Sequence, residues 1–348
     1  MKIVVASDAW QPQINGVVRT FERVVSEAPE FGFEVDVVGP HEWRTMPLPT
    51  YSEIDIALCS QASIDRRLES SNADFIHIAT EGPIGWRSRS YCLRNNRPFT
   101  TSFHTKYPEY IRARLPIPIS VSYSVLRRFH HKGQMLMVTN STLRRELTEK
   151  GFENIELWSR GVDSKLFRPH GASMLDLPRP IFMNVGRVAV EKNLEAFLSL
   201  DLPGSKVVVG QGPQLAELKA AFPDVVFTGA KVGEELSAIY ASADVFVFPS
   251  RTDTYGIVLL EALASGVPIA AYPVTGPNDV IGGSDVGVLD EDLRIAALKA
   301  LDIPREKCRA FALKHSWRHS IGEFINNILK ANDRPLIDIE AHLEKNPA

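Results

Sequence analysis

Cysteine is scarce: the 348 residues hold three, Cys59, Cys92 and Cys308. The set is odd and scattered with no CxxC spacing, which excludes a disulfide framework and a thiolate zinc site and suits a reducing compartment. No run of about 18 uncharged apolar residues exists, as a spanning helix would need; the best candidate, 257–274, is broken by Glu261. The apolar opening meets Asp8 too early for a secretory signal and reads as a buried first strand. An excess of positive charge is also missing. The formal net charge of −3 and pI near 6.3 exclude a dedicated nucleic-acid binder, which would be basic overall. Repeats of 20–50 residues and low-complexity tracts are absent.

What remains is ordinary globular composition, 44% hydrophobic and 23% charged, over a length that exceeds what one core usually serves. Short runs rich in Val, Ile and Phe predict strands at 2–7, 33–38, 75–79, 99–103, 135–139 and 155–158, then at 181–185, 206–209, 225–228, 245–249, 268–271 and 286–289. Continuous apolar runs, alternating with helical periods, indicate parallel sheets buried on both faces. The pattern occurs twice, so the fold class is α/β with two doubly wound Rossmann-like domains. Proline-rich breaks at 168–171 and 177–180 put the junction there. Residues 1–170 form the first domain and 171–316 the second. The helical pattern after Trp317 (Ile321, Phe324, Ile325, Ile328) is expected to pack back on the first.

Charge is uneven. From Arg87 to Lys132 there are ten Lys and Arg against one acid, Glu109. Lys106, Arg112, Arg114, Arg127, Arg128 and Lys132 are interleaved with Ile117, Ile119, Val121 and Val125. Such a mixture can dock on an anionic bilayer. It also reads as a solvated helix face over a plain core, or as a surface for a phosphate-rich soluble partner.

Three features of the second half share the chemistry of diphosphate binding without metal. Gly186-Arg187 follows a strand and leads to Glu191-Lys192-Asn193, placing two cations at the carboxyl edge where open α/β sheets take ligands. A surface Arg–Glu–Lys trio before a helix is the plainer reading of that octapeptide. After 245–249 comes Asp253-Thr254-Tyr255-Gly256 and a helix whose first N–H groups can accept phosphate, with Asp253 placed as its N-cap. Glu261 lies in that otherwise apolar helix and needs a partner or a ligand. Gly210-Gln211-Gly212 is a tight turn that lacks the third glycine of a dinucleotide fingerprint. The first half offers Asn15-Gly16-Val17 beyond the first strand, and His104 at a strand end. Asp290-Glu291-Asp292 spells a metal-binding D-x-D, but it precedes a helical pattern and reads better as acidic capping.

Together these motifs resemble glycosyltransferase family four, retaining, metal-independent nucleotide-sugar enzymes of the GT-B fold, whose two domains face a central cleft. The likeness runs to about Trp317. Ser102-Phe103-His104-Thr105, Glu81-Gly82-Pro83 and Gly161-Val162-Asp163 resemble the lipid-glycosylating branch, which includes diacylglycerol sugar transferases and sulfoquinovosyl-diacylglycerol synthase. The resemblance implies that Arg187 and Lys192 neutralise the departing diphosphate and that Glu261 holds the ribose. It implies that Asp253, with the amides near Thr254, Tyr255 and Gly256, holds the donor sugar and its phosphate. Gly16, beside Asn15, would touch the diphosphate, Gly186 and Gly212 would admit the donor, and His104 would line the reacting centre. In this sequence Asp253 stands where the family has Glu. No general base is evident, which favours front-face attack with retention and the leaving phosphate as proton acceptor.

The expected activity is transfer of a hexose, glucose or glucuronate, from a UDP-linked donor to a membrane lipid such as diacylglycerol, with no cofactor or metal. The expected partners are a nucleotide sugar, a lipid acceptor and the anionic cytoplasmic leaflet, touched peripherally, with no nucleic acid. Arg251 beside Asp253 could select an acidic sugar. The alternatives are a GDP-mannose-dependent mannosyltransferase on a lipid or polysaccharide, a nucleotide-sugar epimerase, and a non-enzymatic anion-binding protein.

Overall fold

In the computed structural model, residues 1–13, 15–48, 51–114, 116–170, 174–253 and 255–345 are described. The chain divides into two units: Met1–Arg160 with the segment from Arg318 onward, and Gly161–Trp317. In the first, β1 (Lys2–Ala6), β2 (Glu34–Val38), β3 (Thr45–Leu48), β4 (Tyr51–Ala57), β5 (Phe75–Ile78), β6 (Thr100–Ser102), β7 (Met135–Val138) and β8 (Ile155–Leu157) follow in chain order. All but β3 and β4 form one parallel sheet of order β2-β1-β5-β6-β7-β8. In the second unit β9 (Ile181–Val185), β10 (Ser205–Val209), β11 (Val226–Gly229), β12 (Val245–Phe248), β13 (Ile269–Ala271) and β14 (Gly287–Leu289) form a parallel sheet of order β11-β10-β9-β12-β13-β14.

The apolar runs explain both sheets. Successive strand residues face opposite ways, so a strand covered on both sides must be apolar at every position. Along β9, Ile181, Met183 and Val185 enter one cluster with Phe246, Tyr240 and Leu260. Phe182 enters the other, with Val208, Val245, Val247 and Phe197. The strand order reverses once in each sheet, between β1 and β5 and between β9 and β12. Outside the carboxyl ends of those strands lies the crevice in which open α/β sheets take ligands.

The division after Arg160 falls earlier than the proline-rich break suggested. Phe167 packs edge-on to Tyr240 with ring centroids 5.6 Å apart, and Val162 bridges to Ser316, so 161–170 belong to the second unit. Gly161 permits this crossing: a Cβ there would stand 2.3 Å from the Trp317 amide nitrogen. The helix Trp317–Lys330 brings buried Ile321, Phe324, Ile325 and Ile328 to the first unit. Phe324 lies 4.6 Å from Trp158 and 5.0 Å from His77, while the Trp158 indole N–H donates to the Ser320 carbonyl. The antiparallel pair β3/β4 escapes the sequence reading because Pro47 interrupts its first strand, and proline ordinarily demotes such a run.

Candidate functional site

The second unit brings its candidate residues together at its strand reversal. β9 hands over to Gly186 and Arg187, and β12 to Pro249 and Ser250, so the two loops emerge side by side. Hydrogen bonds tie them together. Asn193, in left-handed backbone at φ 53°, donates its side-chain amide to the Pro249 carbonyl. Ser250 and Thr252 donate their hydroxyls to the Glu191 carbonyl. The turn 210–212 buttresses the first loop from the other side. A Cβ on Gly210 would stand 1.8 Å from the Gly186 carbonyl oxygen, and one on Gly212 2.3 Å from that of Val188. The close neighbour that Gly212 admits is thus protein backbone.

Within this frame the charges pair. Lys192 Nζ donates to Asp253 Oδ1 at 2.5 Å, with both side chains mostly covered. Arg187 stands 3.8 Å from nearly buried Glu191. Asp253 Oδ2 is buried without a hydrogen-bond donor among the described residues. Cations and acids therefore alternate across one patch: Arg187, Glu191, Lys192, Asp253. Such a patch can take up a polyanion by exchanging internal ion pairs for phosphate contacts.

One expectation changes here. Asp253 is not an N-cap; the helix Ile257–Ala264 is preceded by Gly256 at φ 82°, and the Asp253 carboxylate serves Lys192 instead. Glu261 sits one turn into that helix, buried, and accepts a hydrogen bond from the Tyr240 hydroxyl at 2.9 Å. The protein itself thus supplies a donor for the acid that the apolar surroundings demanded. Tyr255 is buried, and Gly276 lets the Asp253 and Tyr255 carbonyls approach the helix Thr275–Ile281. Thr254 lies outside the described residues. The Arg251 guanidinium stacks 3.7 Å above the Tyr272 ring and meets Glu291 at 3.3 Å. Asp292 caps the helix Leu293–Ala300, accepting from the Arg294 and Ile295 amides, which gives the D-x-D spelling a structural use.

The first unit carries a second group of candidates at its own strand ends. Asn15 caps the helix Gly16–Glu27, its side chain accepting from the Val17 and Val18 amides. His104 follows β6, packed against Phe21 and Trp158. Arg160 donates to His104 Nδ1 at 3.2 Å. Because guanidinium only donates, that nitrogen carries no proton. Burial, with Arg160 beside it, holds the ring well below the ordinary imidazole value. His104 can donate to a substrate oxygen and is not poised as a base at Nδ1. His77 spans Thr100 and Ser102 by both nitrogens; burial pushes it down to about 3.

Sequence reasoning passed over Arg160 and Asp8. The first stands immediately before Gly161-Val162-Asp163, the second at the end of the first strand, and those positions were the available signals. Asp8 accepts from the Ile84 and Gly85 amides and from the Thr80 hydroxyl. It so fixes the loop after β5, where a Cβ on Gly82 would fall 2.4 Å from its carboxyl carbon. Burial outweighs those donors and raises its pKa. Glu81, immediately before Gly82, accepts from buried His130 at 3.1 Å.

The basic segment sorts unevenly. Lys106, expected at a membrane, is instead buried and bonded to Glu146 at 2.7 Å. Arg127 donates to the Lys150 carbonyl. Arg112, Arg128 and Lys132 are exposed, as are Ile117, Ile119, Val121 (52%) and Val125 (49%). Val121, Val125 and Arg128 share one face of the helix Ile119–His130 at i, i+4 and i+7 spacing. The Arg114 side chain lies outside the described residues.

Comparison with known proteins now decides the family. The model described as "Glycosyltransferase Family 4" matches residues 14–166, and the one described as "Glycosyl transferases group 1" matches 179–301. The chain belongs to glycosyltransferase family four. This glycosyltransferase is 30% identical to the sulfoquinovosyl transferase SQD2 of Arabidopsis thaliana over 77% of its own length and 58% of the relative's. It therefore spans little more than half of that protein. It is 27% identical to a GDP-mannose-dependent alpha-mannosyltransferase of Mycobacterium tuberculosis over 83% of each chain. It is 26% identical to the alpha-monoglucosyldiacylglycerol synthase of Streptococcus pneumoniae over 86% of this chain and 78% of that one. Among solved structures, the sucrose-phosphate synthase of Thermosynechococcus elongatus superposes with a TM-score of 0.76 at 17% identity, covering 95% of this chain and 99% of that one. The glycosyltransferase has the GT-B fold.

Proposed function

We propose that this enzyme transfers a hexosyl group from a UDP-linked donor, glucose or glucuronate, to a membrane lipid such as diacylglycerol, with retention at the anomeric carbon and without metal. The observation that carries the reading is the patch at the β9/β12 reversal, where Arg187 and Lys192 stand with Glu191 and Asp253. As the C1–O bond to phosphate breaks, negative charge grows on the leaving diphosphate. Cations already fixed in place stabilise it without reorganising, which is the largest source of rate in such sites. The acceptor hydroxyl attacks from the same face, and its proton passes to an oxygen of the leaving phosphate. His104, neutral and donating through Nε2, positions a substrate oxygen. Glu261 serves the ribose while keeping its bond to Tyr240.

The lipid acceptor is supported by the diacylglycerol named for one relative. It is supported also by the exposed helix face, where Val121 and Val125 adjoin Arg128; aliphatic side chains entering the interface beside cations that meet anionic headgroups hold peripheral enzymes on a leaflet. The second reading, GDP-mannose-dependent transfer, draws on a relative matched over more of its own length than the sulfoquinovosyl transferase is.

A panel of UDP-glucose, UDP-glucuronate, UDP-galactose and GDP-mannose against diacylglycerol liposomes, read by lipid mass spectrometry, tests both. A hexosyl-diacylglycerol formed from a UDP sugar is expected. Product from GDP-mannose alone selects the second reading, and donor consumption without lipid product rejects both.

A further inference from the structure

Buried arginines need strong reasons, and Arg160 is 4% exposed. It is the last residue of the first unit before the crossing at Gly161. One guanidinium nitrogen donates to the Trp158 and Ser159 carbonyls at 2.8 Å. The plane stacks 4.0 Å above the Trp158 ring, and that ring is itself fixed by Ser320 and Phe324. The other terminal nitrogen is thereby aimed at His104 Nδ1, 3.2 Å away.

We propose that Arg160 is a positioning residue that locks His104 as the neutral Nε2–H tautomer, making it a fixed hydrogen-bond donor at the strand end. A group that only donates, held by two carbonyls and an aromatic face, permits only an unprotonated Nδ1, since a proton there would meet an N–H. The remaining ring proton must then sit on Nε2. The charged and titratable groups acting on His104 among the described residues include Arg160 itself, His77 from β5 and His130 from the helix Ile119–His130. Each opposes a second proton. His130 is occupied by Thr101 and Glu81, and His77 by Thr100 and Ser102. Tautomer control of this kind sets what a histidine can do in a site. Its consequence for catalysis rests on the hexosyl-transfer reading; the tautomer itself does not.

The test separates the two. Long-range proton–nitrogen correlation spectra of imidazole-labelled protein report the tautomer of all nine histidines, with the His104 signal assigned from its loss in His104→Gln. The wild type is expected to show one neutral Nε2–H form of His104 from pH 5 to pH 8. Arg160→Met is expected to give mixed tautomers or a titrating ring at His104, while the imidazoles other than His104 and its neighbour His77, on which the Arg160 charge also acts, keep their signals. An Nδ1–H or protonated His104 in the wild type overturns the proposal, and that measurement stands whether or not the variant folds. A single unchanged Nε2–H form in Arg160→Met overturns it equally. With whichever panel donor supports transfer, kcat in Arg160→Met should fall roughly a hundredfold through misplacement while the Kd of UDP is unchanged; an unchanged kcat refutes the catalytic consequence. If wild-type protein transfers from no donor, the functional reading fails and the tautomer result remains.

Discussion

Replacing Asp253 with Asn keeps its shape and one acceptor oxygen but removes the charge that faces Lys192 across 2.5 Å. Two effects of opposite sign follow. Lys192 is no longer neutralised, so a nucleoside diphosphate no longer competes with an internal carboxylate for it. The pair is partly exposed, at 25% and 14% of its side chains, and pairs of that kind are worth up to about 1 kcal/mol, which converts to roughly fivefold in Kd. Calorimetric titration with UDP or GDP should therefore show tighter binding by about that factor. Transfer should move the other way: a hydrogen bond from a sugar hydroxyl to a charged acceptor contributes about 1.5–3 kcal/mol, so kcat/KM should drop by roughly ten- to hundredfold. A misfolded variant would lose both properties together. Weaker diphosphate binding in Asp253→Asn, or undiminished transfer, would refute the view that this acid restrains Lys192 and holds the sugar.

Reversing Arg112, Arg128 and Lys132 to Glu should cost roughly 1 kcal/mol per cation near a charged surface. Flotation on anionic liposomes at low salt should then be lost, and unaltered flotation counts against a membrane role for that face. Acid stability carries a second signature. His77 binds its proton at about 3 in the fold against 6.5 when free, so the unfolded chain gains protons first. The stability that the neutral His77 ring contributes is full above about pH 6.5 and declines as pH falls from there toward 3. His77→Gln should flatten the urea-midpoint dependence between pH 6 and 4 by about one proton, roughly 1.4 kcal/mol per pH unit; an unchanged slope would contradict a neutral buried His77. Gly161→Ala should destabilise by about 3 kcal/mol or more, because the added carbon meets backbone at 2.3 Å and cannot be relieved by a rotamer change. Thermal unfolding within a degree of wild type would exclude that crossing geometry.

The parallel strands were legible because burial on both faces forces an unbroken apolar run, as in 181–185, where prediction and β9 coincide. The handover from β12 to the loop at Ser250 was legible for the same reason. Pairings within the site were not. That Lys192 meets Asp253, or that Glu261 takes the hydroxyl of Tyr240 from another helix, depends on loops whose path only tertiary contacts fix. Asp253 looked like a cap because it precedes an apolar helix, yet Gly256 in left-handed backbone starts that helix later. Lys106 looked exposed by its basic company, but Glu146, forty residues on, buries it. Arg160 carried no signal of its own beyond preceding a glycine.

The central claim is that fixed cations at the β9/β12 reversal stabilise the departing diphosphate. Its most direct test is the initial transfer rate of Arg187→Ala with Lys192→Ala, measured at saturating donor against wild type. Loss of one such preorganised donor typically costs a hundredfold or more, so the double variant should fall by at least about a thousandfold while its fold and acid stability persist. Wild-type rates in that variant would contradict the account.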